Sequence, residues 1–212
     1  MRRMPSRIPC LALVALISPL GPTHLDAQAP PTLVGVVGGY TSTEHVWSPD
    51  ADAESVAGFT LGAFVDVQTP ADWLSIGAEA AYAQRGSNVL IDVGGTPTPG
   101  GIRTDYLTLA IRIRAAIEVG PSLLHVAVGP VSDVVLRSRL DPLLTQVLDE
   151  ESATAFGVIA GAGVGAWVTE RAFVEIEARI VEGLQAAYSG NFVSAHNRSR
   201  ELVARVGLLV GR

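Results

Sequence analysis

The residues best suited to chemistry are histidines that have serines or carboxylates nearby in the sequence. Ser42 and Glu44 precede His45, and Ser194 and Ser199 flank His196. A histidine that deprotonates a serine hydroxyl, oriented by a carboxylate, is the arrangement used for acyl transfer. The sequence contains neither GxSxG nor HExxH and no glycine-rich nucleotide loop. Because a lone histidine in a polar segment is far more often solvated than catalytic, we predict a non-enzymatic protein without metal or cofactor.

A second set of polar residues alternates with large aliphatic ones. In the segment LTLAIRIRAAIEV, the residues Arg112, Arg114 and Glu118 share one parity, and isoleucines occupy the other. Successive side chains of a β-strand point to opposite faces, so this segment has one apolar face and one charged face.

The same alternation in other segments places further charges on the equivalent face. The predicted set is Asp66, Glu79, Arg112, Arg114, Glu118, Glu175, Glu177, Arg179 and Arg205. Five acids against four bases are close to balance, and buried charges are tolerated when they are paired. We therefore predict an internal network of salt bridges, in which Glu79 lies near Arg112 and Arg114 and Glu177 lies near Arg205.

Residues 1–29 have the features of a secretory signal peptide. Three arginines precede the short apolar run CLALVALISPL, and AQA at 27–29 has the small residues of a cleavage site. We predict cleavage after residue 29, export without a lipid anchor, and a single domain over 30–212. Cleavage would also remove Cys10, the only cysteine, so the mature chain would contain no disulfide.

The charge balance argues against a nucleic-acid partner. Three of the 15 basic and one of the 21 acidic residues precede residue 30, which leaves 12 basic against 20 acidic residues and no lysine. Charged residues make up 17% of the chain and apolar residues 48%, whereas about a quarter is usually charged in a soluble domain. The chain is thus short of solvated surface, although no apolar run after the leader has the length of a membrane helix.

Eight segments show the period-two pattern and alternate between short and long connections. The segments are 33–40, 58–68, 73–83, 107–119, 123–137, 155–168, 173–183 and 201–211. The turns TPAD, VGPS and TER follow the second, fourth and sixth segments, and the long connections are roughly 41–55, 86–102, 140–152 and 189–199. This organisation predicts an all-β protein, an eight-stranded antiparallel up-and-down transmembrane β-barrel with four long extracellular loops and periplasmic termini. In the third loop, DPLLTQVL at 141–148 predicts a short amphipathic helical turn on the rim.

The aromatic residues at the long-connection ends of the strands suit an outer interface. The predicted outer girdle consists of Tyr40, Tyr82, Phe156 and Tyr188. At the short-turn end, Trp73, Trp167 and Phe173 share the parity of the charges, so either the strands shift register there or the rings close the floor of the lumen.

The run GFTLGAFVDVQTPADWLSIGAEAAYAQRG, with the later YLTLAIRIR and FGVIAGAGVGAW, resembles the small porin-like outer-membrane β-barrel protein family (outer membrane protein beta-barrel domain). The likeness extends over essentially the whole mature chain and rests on pattern. It implies an eight-stranded barrel in the bacterial outer membrane, in a family whose members mostly lack a defined biochemical activity. Such barrels often end on an aromatic residue that the assembly machinery reads, whereas this chain ends LLVGR.

We therefore predict a non-enzymatic bacterial outer-membrane protein with a side-chain-plugged lumen. Its four long loops would serve envelope structure or surface binding, with a loop partner that the sequence does not identify. The expected partners are outer-membrane lipid, lipopolysaccharide and the barrel-assembly machinery. Two alternatives are a narrow gated pore for small solutes and a soluble periplasmic lipocalin-like barrel that binds an apolar ligand. In the soluble alternative, the apolar face would point inward and the other face would carry several hydrated groups per strand.

Overall fold

The protein folds almost entirely into β-strands. The computed structural model describes residues 31–48, 53–93, 96–142, 144–146, 148, 150–190 and 194–210, so the predicted signal peptide lies outside the described residues. The strands are β1 (Thr32–Ser48), β2 (Ala53–Gln68), β3 (Leu74–Val93), β4 (Thr96–Val119), β5 (Ser122–Leu140), β6 (Glu150–Glu151), β7 (Thr154–Trp167), β8 (Ala172–Ser189) and β9 (Ser194–Val210). A single 3-10 turn spans Leu144–Gln146. Among the described residues, no helix is long and apolar enough to cross a membrane.

The eight long strands close into one antiparallel ring. Each pairs with the next long strand along the chain, and β1 pairs with β9 from Thr32 opposite Val210 to Ser48 opposite Ser194. The two-residue strand β6 pairs only with the outer end of β8. Closure joins the first and last long strands, so the ring has no open edge of the kind that invites pairing with other chains. The predicted eight-stranded antiparallel up-and-down barrel is confirmed.

The wall has an apolar outer face and a polar inner face. On β4, Ile111 is 58% exposed and Ile113 is 53% exposed, whereas Arg112 between them is 3% exposed. A lipocalin-like barrel requires the opposite arrangement, with apolar side chains around an internal ligand. The soluble alternative is therefore wrong for this fold, because the side-chain alternation turns the aliphatic residues outward.

An apolar band runs around the outside of the barrel. On β3 it extends from Leu74 to Tyr82, and on β9 from Leu202 to Val210; both segments alternate outward apolar residues with inward ones. These spans of roughly nine residues match the length at which a tilted strand crosses a bilayer. Beyond the band, on the side of the long connections, outward positions become polar, as at Gln84 and Arg200. We call this the outer end of the barrel.

The strands continue well past the band at the outer end. The segment 86–102, predicted as a loop, instead extends β3 and β4, which remain paired up to Val93 opposite Thr96. The predicted boundary was wrong because backbone hydrogen bonding between the two strands continues beyond the part that needs an apolar face. The predicted long loops at 41–55 and 189–199 were wrong for the same reason, since β1 continues to Ser48, β2 begins at Ala53 and β9 begins at Ser194.

Glycines allow close approach of the backbones at several points in the wall. At Gly129 on β5, a Cβ atom would overlap the carbonyl oxygen and carbonyl carbon of Ile111 on β4. At Gly38 on β1, by contrast, a Cβ would lie 3.4 Å from Leu61 Cδ1, an ordinary contact.

We expect Gly129→Ala to lower the free energy of unfolding by about 1–3 kcal/mol, because β4 and β5 must separate to admit the methyl group. Gly38→Ala is the matched control and should change it by less than about 0.5 kcal/mol. The measurement is the urea midpoint of the refolded protein in detergent, read from the difference in gel migration between unheated and heated samples. Equal midpoints for the two variants would contradict the close approach.

Candidate functional site in the barrel lumen

The central lumen contains ion pairs that join strands across the ring. Arg112 on β4 donates to Glu177 on β8 with an Nη1–Oε1 distance of 2.6 Å. Arg114, two residues further along β4, pairs with Glu175 on β8. In the ring, β4 and β8 lie three strands apart, so both pairs cross the lumen rather than follow the wall.

A third arginine reaches Glu175 from β9. Arg205 contacts Asp66 on β2 at 3.0 Å and Glu175 at 3.1 Å, and it is 1% exposed. Its guanidinium carbon lies 3.7 Å from the centre of the Phe64 ring, a cation–π contact. The planar guanidinium thus bridges two carboxylates while its face packs on an aromatic ring.

The widest bridge joins opposite sides of the barrel. Arg179 on β8 pairs with Glu79 on β3 at 2.7 Å and with Glu201 on β9 at 2.6 Å. Four strand steps separate β3 from β8 in the ring of eight, so the Arg179–Glu79 pair spans the full diameter.

Above this bridge, toward the outer end, lies a further buried pair. Arg85 on β3 pairs with Asp133 on β5, and Thr108 donates to the same carboxylate at 2.6 Å. Arg85 also lies 3.9 Å from Glu201, which connects this pair to Arg179. Sequence reasoning missed this group. Glu201 and Asp133 have the inward parity of their strands, so the alternation of side chains could have identified them. Arg85 lies just beyond the predicted end of β3.

His125 is the other buried polar residue that sequence reasoning left out of the network. Its Nε2 lies 3.1 Å from Glu177 and 3.5 Å from Glu175. One ligand atom from each of these three residues lies within 4.8 Å of the others, which is the spacing of a metal site. Both carboxylates, however, already pair with the arginines described above, and guanidinium charge at these oxygens opposes a divalent cation. We interpret His125 as a member of the ion network.

The structure brings together eight of the nine predicted network residues, with some partners different from those expected. Glu79 approaches Arg112 at 3.8 Å, but its nearer arginine is Arg179. Arg205 lies opposite Glu175 in the β8–β9 register, one inward position from the expected Glu177.

Glu118 was wrongly placed in the network, because it is exposed. It lies beyond Ala115, which is the last residue of β4 paired with β3. The ring no longer encloses the side chain at that height, although its parity is the inward one.

Apolar residues narrow both ends of the lumen. At the short-turn end, Phe173 packs with Leu33, Phe64 and Val203, whereas Trp73 and Trp167 are exposed. A cavity of about 170 Å³ beside Phe173 reaches Asp66 and Arg114, so this end is only partly closed. The sequence allowed either a register shift or rings at the floor of the lumen. The second interpretation is correct for Phe173.

At the outer end, the connection after β5 enters the mouth of the barrel. Leu144 and Leu148 are buried there against Trp47, Val89 and Ile102. The expected helical turn is a single 3-10 turn, and its leucines pack inside the mouth rather than on the rim.

The four predicted girdle residues divide into two groups. Tyr40 and Phe156 are exposed on the outer face, and Tyr82 is half-buried with its ring 5.5 Å from that of Phe59. Tyr188 was wrong as a girdle residue, because it is 1% exposed and its hydroxyl contacts Ser138 at 2.9 Å inside the mouth. Register irregularities between Glu182 and Tyr188 reverse the side-chain parity of β8.

The two rim histidines lie on different faces of the barrel wall. His45 points into the mouth, where its Nδ1 lies 2.7 Å from Ser87 Oγ, whereas Ser42 and Glu44 have the outward parity of β1. On β9, His196 has the outward parity, because its neighbours Ala195 and Asn197 are both buried. The wall of the barrel thus separates His45 from Ser42 and Glu44. It also separates His196 from Ser199, whereas Ser194 shares the parity of His196.

His45 is buried at the outer end, beyond the apolar band. Its burial lowers its pKa from 6.5 to about 4, an effect that the charge of Arg85 reinforces and a hydrogen bond to Asn197 opposes. The neutral imidazole is therefore the form that the folded protein accommodates.

The network predicts a large difference between interior and exterior arginines. Arg205→Met would leave Asp66 without its closest cation in a buried site, so we expect the free energy of unfolding to fall by about 3–5 kcal/mol. Arg198→Met, which removes an outer-face pair with Glu182 at 2.8 Å, is the control and should cost less than about 1 kcal/mol. Urea midpoints in detergent give both values, and a loss for R205M no greater than for R198M would refute the structural role.

The lowered pKa of His45 predicts that part of the free energy of unfolding is lost in acid. The unfolded chain takes up the imidazole proton near pH 6.5 and the folded protein only near pH 4. The full contribution is therefore present above about pH 6.5 and is lost as the pH falls toward about 4, by roughly 3 kcal/mol in total. His45→Gln should lack this component, so the wild-type and H45Q stabilities should converge over that range. Parallel pH profiles would contradict the assignment.

A family model described as outer membrane protein beta-barrel domain matches residues 10–197. Among solved structures, Neisserial surface protein A is 14% identical, and the match covers 82% of this chain and 96% of that one with a TM-score of 0.47. Ail, the attachment invasion locus protein of Yersinia pestis, is 12% identical over 84% of this chain and 99% of that one, with a TM-score of 0.44. The outer membrane protease OmpT from Escherichia coli is 11% identical over 87% and 98%, with a TM-score of 0.42.

No curated protein sequence matches this chain significantly. The family match, however, extends over most of the chain and agrees with the closed ring and its apolar outer face. The resemblance found in the sequence is thereby confirmed: the chain belongs to the outer membrane protein beta-barrel domain family.

Proposed function

We propose that this outer-membrane protein is a sealed, non-enzymatic barrel that acts through its outer end in envelope structure or surface binding. The observation that carries the proposal is the Arg179–Glu79 pair, which crosses the full diameter of the lumen at 2.7 Å. Side chains that meet across the centre of an eight-stranded barrel leave no continuous water path.

Two further barriers support a sealed lumen. The ring of Phe173 narrows the short-turn end, where a cavity leads as far as Arg114, and the leucines at 144 and 148 close the outer mouth. A solute would have to displace apolar groups at both ends and a charged layer between them.

The sealed lumen leaves the outer end as the part of the molecule suited to interaction. Strands β3 and β4 extend past the apolar band and carry polar residues on their outward faces. Outer-membrane lipid and lipopolysaccharide are the partners that we propose for the wall, and the barrel-assembly machinery is the proposed partner during insertion.

The burial of the serine–histidine pair at the outer end supports a non-enzymatic role. Ser87 is fully buried and His45 is 2% exposed, under the apolar cluster of the mouth. A nucleophile in that position has no open cleft through which a substrate could reach it.

We expect the mature protein to produce no stable current steps in planar lipid bilayers. The double variant Glu79→Ala/Arg179→Ala removes the diametric pair while keeping the charge balance, so it should show measurable conductance. Glu182→Ala/Arg198→Ala removes an ion pair on the outer face of the wall and is the matched control, which should stay silent.

Steady conductance of the unmodified protein would refute the sealed barrel and favour the narrow pore. Silence of the Glu79 and Arg179 double variant would show that the apolar ends are sufficient to seal the lumen and that the ion pair is not the decisive barrier.

A further inference from the structure

Three arginines on the outer face lack the ion pairs that the other barrel arginines have. In the described part of the chain, arginines within 4 Å of a carboxylate are Arg85, Arg112, Arg114, Arg179, Arg198, Arg200 and Arg205. Among those residues, Arg103, Arg137 and Arg139 form no such pair, and all three are exposed. The remaining unpaired arginine, Arg171, lies at a short turn at the other end of the barrel.

These three arginines form one patch on neighbouring strands at the outer end, which we call the arginine patch. In the β4–β5 register, Arg103 lies directly opposite Arg139, and Asp105 lies opposite Arg137. Arg103 donates to the carbonyl oxygen of Ile102 at 2.9 Å and to Asn88 Oδ1 at 3.4 Å, so both of its recorded acceptors are neutral.

The patch lies immediately above the apolar band. Leu107, two residues from Asp105 on the same face of β4, is an exposed apolar residue of the band, and Tyr82 borders it on β3. Charged side chains at this height coincide with the polar headgroups of a bilayer whose hydrocarbon contacts the band.

A shallow groove accompanies the charges. Its volume is about 250 Å³, and its lining includes Gln84, Arg103, Asp105 and Arg139. It occurs where β2 loses its register with β3, between Ser55 and Thr60, so the wall there is less tightly paired. A liquid water occupies about 30 Å³, so the groove has room for a group of several heavy atoms.

The juxtaposition of Arg103 and Arg139 requires an explanation, because like charges directly opposite on paired strands destabilise a sheet. Asp105 supplies one negative charge opposite Arg137, and Asp141 follows Arg139 by two residues, so the three guanidinium groups outnumber these two carboxylates. An anion held between the arginines would remove the repulsion, and guanidinium groups bind phosphate oxygens in bidentate geometry.

Resting on the proposed function, in which the barrel wall contacts outer-membrane lipid, we propose that the arginine patch binds the phosphate of a lipid headgroup in the outer leaflet. A bound lipid places its phosphate in the groove and its acyl chains along Leu107 and the rest of the apolar band. The position favours a lipid over a soluble phosphate, because a free anion gains nothing from the apolar surface below the patch.

The opposite side of the barrel provides a control surface. Arg198 and Arg200 lie at the outer end with outward or half-outward side chains, but Glu44 and Glu182 already neutralise them. Each surface offers two arginines for substitution. The two surfaces therefore differ in whether nearby glutamates neutralise the arginines.

The test uses the mature protein refolded in neutral detergent, with diphosphoryl lipid A as the probe and bound lipid counted by native mass spectrometry. Arg103→Gln/Arg139→Gln should weaken lipid A binding by about tenfold or more, because it removes two charge-assisted contacts to phosphate. Arg198→Gln/Arg200→Gln should bind lipid A within about twofold of the unmodified protein. Equal binding by the unmodified protein and R103Q/R139Q would overturn the proposal.

A second measurement separates lipid binding from a general effect on folding. Without lipid, Arg139→Gln should leave the urea midpoint unchanged or raise it, since it relieves repulsion. With lipid A, the same variant should be less stable than the unmodified protein. A variant that is less stable by the same margin in both conditions would overturn the proposal.

The source of the phosphate is tested by adding inorganic phosphate in place of lipid A. We expect little stabilisation by millimolar phosphate. If inorganic phosphate raised the midpoint as much as lipid A, or displaced lipid A from the protein, the site would be one for soluble anions and the lipid proposal would be wrong.

Discussion

The pairing of charges inside a narrow, enclosed lumen is the constraint on which the rest of this structure depends. A closed ring with an apolar exterior must turn every polar side chain of its membrane-spanning strands inward. A guanidinium there cannot rely on bulk water, so it must find a carboxylate on another strand. Each inward arginine of the described barrel does so, and several of these pairs connect strands that share no backbone hydrogen bond.

The exclusive use of arginine follows from the same constraint. The chain contains no lysine, and its interior cations contact two carboxylates at once, as Arg205 does with Asp66 and Glu175. A planar group with several donors in fixed directions can bridge partners on different strands, whereas an ammonium group is a more strongly hydrated point charge. Bridging of this kind makes the lumen a cross-linked layer, which is why a charged interior is compatible with a sealed barrel.

The two ends of the barrel are built differently. The short-turn end is narrowed by an apolar cluster around Phe173, beside which a cavity reaches Arg114 of the ion network. At the outer end, the strands continue beyond the apolar band and enclose a neutral histidine beneath an apolar cap contributed by the connection after β5. The outer face of this end carries two arginine surfaces, one neutralised by glutamates and one with a surplus of positive charge beside the membrane boundary. The buried histidine and both outward arginine surfaces therefore lie at the outer end of the barrel.

The amino-acid sequence by itself determined the closed all-β fold and which face of each membrane-spanning strand is buried. Side chains alternate with a period of two, so Arg112, Glu177 and Arg205 could be placed inside from their aliphatic neighbours alone. Parity was not sufficient to predict burial at two positions. Register shifts turn Tyr188 inward, and β4 extends beyond its pairing with β3, which leaves Glu118 exposed.

Only the tertiary structure decided which charges meet. Arg179 and Glu79 are separated by 100 residues and lie on opposite sides of the ring. Local patterns report the direction of a side chain, whereas the curvature and stagger of the closed sheet set its height and its partner across the lumen. The burial of His45 beside Ser87, and the exposure of Arg103 opposite Arg139, depend on the same stagger and were for that reason beyond what the sequence alone determined.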